Sequence, residues 1–397
     1  MSDNPRSVKR YALLGWLCAA AAIAYVQRTS IGVAATEIRS TLNLSVPVMG
    51  GVMSGYYWAY ALSQLPAGWI SQRWGTRWSL AAWMSGTSVL TALVAITSSR
   101  WDLSLVWLCA GVAIAGIFPT CAQAIVTWFY ADERAFPSGT LGSAMSVGAA
   151  ISTALTGWLL GVFSPSGGWR WIFLLYALPG ILWSLGFVCW YRDPVSPGSL
   201  MADEPEIPQN DRVSADDPVA ALDYDGWWFD RRTWLICLQQ FFRAAGYVFY
   251  ATWFPSFLQE TKGVTTAAAG VLTSLPLLGV VVGGVFGGWT IDVIESMTRS
   301  KRISRQLVGI LSHTLCGLCI FAAQPIEDPT AAVGLITLGS FIFAFGSATS
   351  YAITMDLGGR RTATVFALMN TCGNIGAAIC PYVVGLLIPR IGWEPLL

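Results

Sequence analysis

One arginine interrupts an otherwise uncharged apolar run, and that run leaves the chain few ways to fold. Residues 11–36 read YALLGWLCAAAAIAYVQRTSIGVAAT. About 20 apolar residues are enough to cross a bilayer. Inside the hydrocarbon every backbone N–H and C=O needs an internal partner, so a lipid-facing chain must be a helix or a closed barrel. A run this long reads as a helix, and Arg28 lies past its middle. A guanidinium stays ionised in protein and cannot lower the cost of burial by neutralising. At the bilayer centre that cost is roughly 2.5–3.5 kcal/mol on insertion scales. A helix carrying it points to an aqueous cavity with an anion inside. The structural alternatives are snorkelling toward the nearer surface or pairing with Glu37, which is more than two helical turns away.

The rest of the chain repeats the pattern. Eleven apolar spans fall near 11–36, 48–71, 78–98, 103–129, 138–162, 171–191, 233–258, 265–292, 306–324, 330–352 and 363–388. Of the 397 residues only 11% are charged, against about 25% in a soluble domain. The expected class is therefore an all-α polytopic membrane protein. A net charge of +1 argues against nucleic acid as a partner. The nine cysteines all sit inside apolar runs and read as packing residues, Cys316 and Cys319 included. An enzyme would need paired acids, a metal cluster or an activated nucleophile. The sequence offers one histidine, His313, and no clustered carboxylates outside residues 193–230, so neither an enzyme nor a cofactor is expected. The first span is long and has no small-residue cleavage site, which makes it a retained helix rather than a signal peptide.

Basic residues fix an orientation. Alternate loops hold Arg6, Lys9 and Arg10; Arg73 and Arg77; Arg134; Arg192, Arg212, Arg231 and Arg232; Arg299, Lys301, Arg302 and Arg305; and Arg360 and Arg361. The opposite loops hold Arg39, Arg100, Arg170, Lys262 and Arg390. By the positive-inside rule the N-terminus is cytoplasmic, and a bacterial plasma membrane is the expected location. Residues 193–230 are rich in Asp, Glu and Pro with no long apolar run, which reads as a cytoplasmic, largely disordered linker. The expected units are 1–192, the linker, and 231–397. Trp227, Trp228 and Trp234 around Arg231 and Arg232 form an interfacial anchor.

An internal echo joins the two units. The second span ends Gly68-Trp69-Ile70-Ser71-Gln72 and the eighth ends Gly288-Trp289-Thr290-Ile291-Asp292, each before a basic loop. Transporters built from repeats leave such traces. Glycines such as Gly283, Gly284, Gly287, Gly373 and Gly376 permit close helix approach.

Six spans, a long central loop and further spans, with Gly68-x-x-x-x-Arg73-x-Gly75-x-Arg77 after the second, resemble the major facilitator superfamily. That implies two six-helix bundles. This sequence stops after the eleventh span, so the twelfth helix is expected to be missing from it. The resemblance is narrower to the anion:cation symporter branch, which includes hexuronate, glucarate and galactonate transporters and the animal sialic-acid and vesicular glutamate transporters. Ala24-Tyr25-Val26-Gln27-Arg28, Ser54-Gly55-Tyr56-Tyr57-Trp58-Ala59-Tyr60, Thr252-Trp253-Phe254-Pro255 and Met369-Asn370-Thr371-Cys372-Gly373-Asn374 carry it. It implies that Arg28 holds a substrate carboxylate and that Tyr60, Gln240 and Asn370 line a central cavity. Arg243 stands where the glutamate-type members have a second arginine. Gly68, Arg73, Gly75, Arg77 and Asp292 correspond to the loops that latch one conformation.

The chain departs from that pattern at informative places. Gln72 replaces an acid of the latch, and Met145 replaces a polar residue of the fifth helix. Gln27 and Ile114 stand where sugar-acid symporters have the carboxylates that bind the coupling proton. From the residues themselves, Gln240 and Arg243 share a helix face at i and i+3, as Asn370 and Asn374 do at i and i+4. Arg243 lies nearer the start of its span, so snorkelling to the basic face is its structural alternative. Arginine suits a carboxylate because its planar fork gives two parallel hydrogen bonds. The expected function is alternating-access transport of a small organic anion by a monomer. A proton or sodium ion is the expected co-substrate, and uniport or anion exchange is the alternative that the missing acids favour.

Overall fold

The computed structural model describes residues 5–129, 135–163, 168–193, 230–358 and 362–396. Most of the expected linker lies outside them, as do Arg134, Arg360, Arg361 and the side chain of Asp292. Among the described residues there is no strand. The helices are α1 (Pro5–Leu42), α2 (Val46–Val94), α3 (Arg100–Ile114), α4 (Ile117–Trp128), α5 (Ala135–Phe163), α6 (Gly168–Trp190), α7 (Arg231–Thr252), α8 (Phe254–Lys262), α9 (Thr266–Thr298), α10 (Lys301–Ala323), α11 (Pro329–Gly358) and α12 (Thr362–Ile391). A short 3-10 turn follows at Glu394–Leu396.

Among the described residues eight helical stretches are long and apolar enough to cross a membrane. Three of the expected spans are not among them. Two of these lie in α2, whose helical geometry breaks at Gly75 (φ 78°, ψ 168°). That left-handed φ is open to glycine without strain, and the break separates the second expected span from the third. The last is the α7–α8 pair, joined at Trp253 and closed by Gly263 at φ 64°. Helix starts follow local chemistry. Ser99 and Asp102 form a capping box at α3, which satisfies two of the N–H groups a helix start leaves open. Asp230 accepts from the Arg232 N–H at 2.8 Å at the start of α7.

Helices α1–α6 form one bundle and α7–α12 the other. The bundles join mainly through α5 against α9 and α2 against α12. These contacts gather toward the face opposite the basic loops. Gly157 and Gly270 meet backbone to backbone, and Gly50 lies against Pro381 and Gly385. Ser54 Oγ donates to the Ala378 carbonyl at 2.6 Å, and Trp253 Nε1 to the Pro381 carbonyl at 3.0 Å. At the end of this face Arg39 Nη1 meets Glu260 Oε1 at 2.7 Å, and Trp393 Nε1 donates to Glu260 Oε2 at 3.1 Å. On the basic side Asn370 and Thr371 of α12 are exposed. Among the described residues the close contacts between the halves thus concentrate on the face opposite the basic loops.

Neighbouring glycines on α9 test how close packing holds this arrangement. A Cβ on Gly283 would collide with the Phe341 carbonyl of α11, whereas one on Gly284 meets open space. Gly283→Ala is expected to cost about 1–3 kcal/mol through overpacking and to lower the melting temperature in detergent. Gly284→Ala should leave it unchanged.

Candidate functional site

Arg28 sits within a ring of tyrosines from two helices. Its guanidinium lies 4.7 Å from the Tyr57 ring centroid, 5.0 Å from Tyr60, 5.1 Å from Tyr25 and 5.9 Å from Tyr56. The hydroxyls of Tyr57 and Tyr60 are within its reach. Tyr25 is one turn before Arg28 on α1, and the three α2 tyrosines face it across the helix pair. Their placement follows from packing: Tyr56 stacks on Trp107 of α3 at 4.9 Å, and Gly111 of α3 is small enough to lie against the Tyr56 backbone.

Each cation–π contact is worth about 0.5–1 kcal/mol when exposed and about 2 when desolvated. Four of them are comparable to the cost of placing the charge in the membrane. They leave the charge in place, however, because a ring face offers a quadrupole and no counter-ion. Among the described residues Arg28 makes no ion pair. The arrangement holds a fixed cation among aromatic faces and tyrosine hydroxyls.

Polar links run from this ring into the other half. Gln64 Nε2 donates to the Tyr60 hydroxyl at 2.8 Å, and Asn374 Nδ2 of α12 donates to Gln64 Oε1 at 3.0 Å. On α7, Arg243 Nε donates to Gln240 Oε1 at 2.7 Å. Gln240 is buried and packs on Gly373 of α12, where a Cβ would come within 3.0 Å of its Cγ. Tyr247, one turn beyond Arg243, is in electrostatic range of both Arg28 and Arg243. It packs with Tyr25 on Ala149, Ala150 and Leu277. Arg28, Tyr60, Gln240 and Arg243 thus belong to one tyrosine-rich region. Asn370 stands one turn from Asn374 on the exposed stretch of α12.

Gln27 and Ile114 do not behave as ionisable sites. Gln27 Nε2 donates to Ser88 Oγ and to the Tyr176 carbonyl, each at 2.9 Å, which ties α1 to α2 and α6. Its Oε1 is buried without a partner. Ile114 is buried in the apolar core.

The loop residues form a second cluster. Arg73 lies over the Trp69 ring at 3.8 Å. Gly68 faces Pro119 of α4. At Gly75 the chain turns around Asp193: the Thr76 N–H donates to Asp193 Oδ1 at 2.9 Å and the Arg77 N–H to Oδ2 at 3.2 Å. The Arg77 side chain donates to the Val188 carbonyl at 2.9 and 2.6 Å. An acid therefore does serve this loop, though it comes from the end of α6 and not from position 72. Sequence reasoning missed Asp193 because its charge blends into the acidic segment behind it. It also left Tyr247 among a crowd of aromatics, since helical spacing alone does not tell a cavity face from a lipid face.

These features define a polytopic membrane carrier. The chain belongs to the Major Facilitator Superfamily, whose family model matches residues 17–393. It is thus a transporter and not an enzyme. It is 30% identical to a D-galactonate transporter of Escherichia coli O6:H1, over 98% of this chain and 91% of the relative. It is 29% identical to a probable sulfoacetate transporter of Cupriavidus necator, over 96% and 88%. It is 25% identical to a hexuronate transporter of Bacillus subtilis, over 95% and 87%. These relatives bear out the anion:cation symporter branch. Among solved structures, the fold is similar to a bacterial homologue of the human lysosomal transporter Spinster in its inward-facing, unoccupied conformation. That similarity has a TM-score of 0.76 and 21% identity, covering 98% of this chain and 84% of the other. A D-xylose–proton symporter matches with a TM-score of 0.67 and 12% identity, over 97% and 98%.

Removing the Asp193 carboxylate would leave two backbone N–H groups without their charged acceptor. Asp193→Ala is expected to cost about 1–2 kcal/mol at this exposed position and to lower the melting temperature. Asp193→Asn, which keeps an acceptor oxygen, should recover part of the loss.

Proposed function

We propose that this transporter carries a small organic anion, a sugar acid in the first instance, by alternating access across a bacterial inner membrane. The observation that carries this reading is the Arg28 guanidinium, without an ion pair among the described residues, inside a ring of tyrosines. Arg28 takes the carboxylate through paired N–H···O bonds. Tyr60 donates its hydroxyl to it, and Gln240, Arg243 and Asn370 complete the site from the second half. A sugar acid adds hydroxyls, which suit the tyrosine and amide groups around the arginine. The similarity to D-galactonate and hexuronate transporters supports that substrate class.

In this reading the N-terminus and the faces carrying the basic loops lie on the cytoplasmic side, which the distribution of Lys and Arg supports. Residues 1–192 and 231–397 act as the two moving units, joined by 193–230. Gly68, Arg73, Gly75 and Arg77 in the first unit and Asp292 in the second serve the gate on the cytoplasmic side. The Arg39–Glu260 pair closes the outer side, and it must open for the anion to enter.

Transport is coupled to a co-transported ion in this reading. Gln27 and Ile114 favour a second one, uniport or anion exchange. Proteoliposomes decide between them. A proton or sodium gradient should drive D-galactonate accumulation in the first case and leave it unchanged in the second. Within either, Arg28→Ala should abolish uptake while the protein stays folded, and Arg28→Lys should recover little, because an ammonium lacks the planar fork. Full uptake by Arg28→Ala would sink the assignment.

A further inference from the structure

Buried tyrosine hydroxyls are usually hydrogen-bonded, and one hydroxyl of the arginine ring is not. Burial takes water away from a phenol O–H, so the group ordinarily finds a partner in the protein. Two other buried tyrosines follow that rule. The Tyr176 hydroxyl pairs with the Thr156 hydroxyl at 2.9 Å, and Tyr191 accepts from Trp128 Nε1 at 2.9 Å. Within the ring, Tyr60 accepts from Gln64 Nε2 at 2.8 Å. The Tyr56 hydroxyl is buried and has no partner among the described residues.

Packing fixes where that hydroxyl points. The Tyr56 ring stacks on Trp107 of α3 at 4.9 Å with the planes 26° apart, and meets Tyr57 edge-on at 5.6 Å. Trp107 in turn meets Phe173 of α6 edge-on at 6.2 Å. Gly111 lies against the Tyr56 backbone, where a Cβ would collide with the Tyr56 carbonyl. Tyr56 is 2% exposed, so the hydroxyl cannot swing out to bulk water. It is held beside a cation: the Arg28 guanidinium lies 5.9 Å from the ring centroid, and the hydroxyl is in its electrostatic range. Tyr56 and Tyr60, at i and i+4, share the face of α2 that meets Arg28.

The chemistry of the neighbours says what is missing. A guanidinium has five N–H donors and no acceptor, so Arg28 cannot take the Tyr56 proton. The Tyr57 and Tyr60 oxygens lie within reach of the same guanidinium. The site is rich in donors and short of an acceptor. A carboxylate is acceptor-only, with about four lone-pair positions on its two oxygens. The Arg28 fork fills one position on each oxygen, which leaves one more on each. Tyr60 donates to the first, and Tyr56, one turn along the same face, is placed for the second.

We propose that Tyr56 is a further binding residue for the anion, its hydroxyl donating to the second carboxylate oxygen. The proposal rests on the transport reading above and deepens it. In the empty protein the unpaired hydroxyl lowers stability, and binding of the anion satisfies it. Stability is thus given up at this position in favour of affinity.

Calorimetric titration and thermal melting of the full chain in detergent test it, with D-galactonate as the probe. Tyr56→Phe keeps the ring and its stacking and removes one oxygen. Its dissociation constant for D-galactonate should rise about ten- to a hundredfold, the range set by a hydrogen bond to a charged group. Its melting temperature without ligand should equal or exceed that of the unmodified protein, because the hydroxyl it removes is unpaired. Tyr176→Phe is the control, since Thr156 holds that hydroxyl; it should melt lower and bind D-galactonate as before. An unchanged dissociation constant in Tyr56→Phe overturns the proposal and leaves the transport reading standing. A fall in its ligand-free melting temperature also overturns it, whatever the affinity, because the hydroxyl then has a partner such as a buried water. Absence of binding to the unmodified protein overturns the D-galactonate reading and the proposal together, and the unmodified protein alone tells that outcome apart.

Discussion

The structure is organised around a permanent charge that the membrane does not tolerate alone. Arg28 cannot be neutralised, and the span around it offers no acid. The protein answers with four aromatic faces, which are polarisable enough to shelter a cation and too weak to cancel it. Much of the N-terminal half follows from placing those faces. Trp107 holds the Tyr56 ring, Gly111 lets α3 approach the Tyr56 backbone, and Gln27 fixes α1 against α2 and α6 one residue from the arginine. Gln27 spends its amide on Ser88 and Tyr176 and so fixes the helix that carries the arginine.

The second constraint is that the two halves touch strongly on one side only. Their contacts there are of two kinds. Glycine-on-backbone approaches at Gly157–Gly270 and Gly50–Gly385 give close packing, while Ser54, Trp253 and the Arg39–Glu260–Trp393 group add directional bonds at the rim. An ion pair that keeps contact with water is worth about 1 kcal/mol or less, so on this face the glycine packing outweighs the Arg39–Glu260 pair. The Tyr60–Gln64–Asn374 hydrogen bonds tie the ring around Arg28 to the other half.

Most of the architecture was legible in the sequence because lipid leaves the backbone few choices. All eleven apolar runs fall on helices, eight of them in stretches long and apolar enough to cross a membrane, and the break at Gly75 lies between the second run and the third. Arg28 and Tyr60 stood out as polar groups where none belong, and the geometry brings them together. Gln240 and Arg243 shared a face by spacing and are hydrogen-bonded. What the sequence could not give depends on contacts far apart in the chain. Asp193 serves a loop over a hundred residues earlier, and Tyr247 approaches both arginines from the second half. Helical periodicity is silent on such contacts, since it ranks faces by polarity and not by what they meet.

The central claim is that the tyrosine-ringed guanidinium awaits a carboxylate, and one comparison tests it most directly. The melting temperature of the purified protein is followed with D-galactonate and with the neutral sugar D-galactose at equal concentration. A ligand at about a hundred times its dissociation constant stabilises the folded state by about 2.7 kcal/mol. The account predicts a rise in melting temperature with D-galactonate that grows with its concentration, and none with D-galactose. An equal rise with the neutral sugar would contradict it.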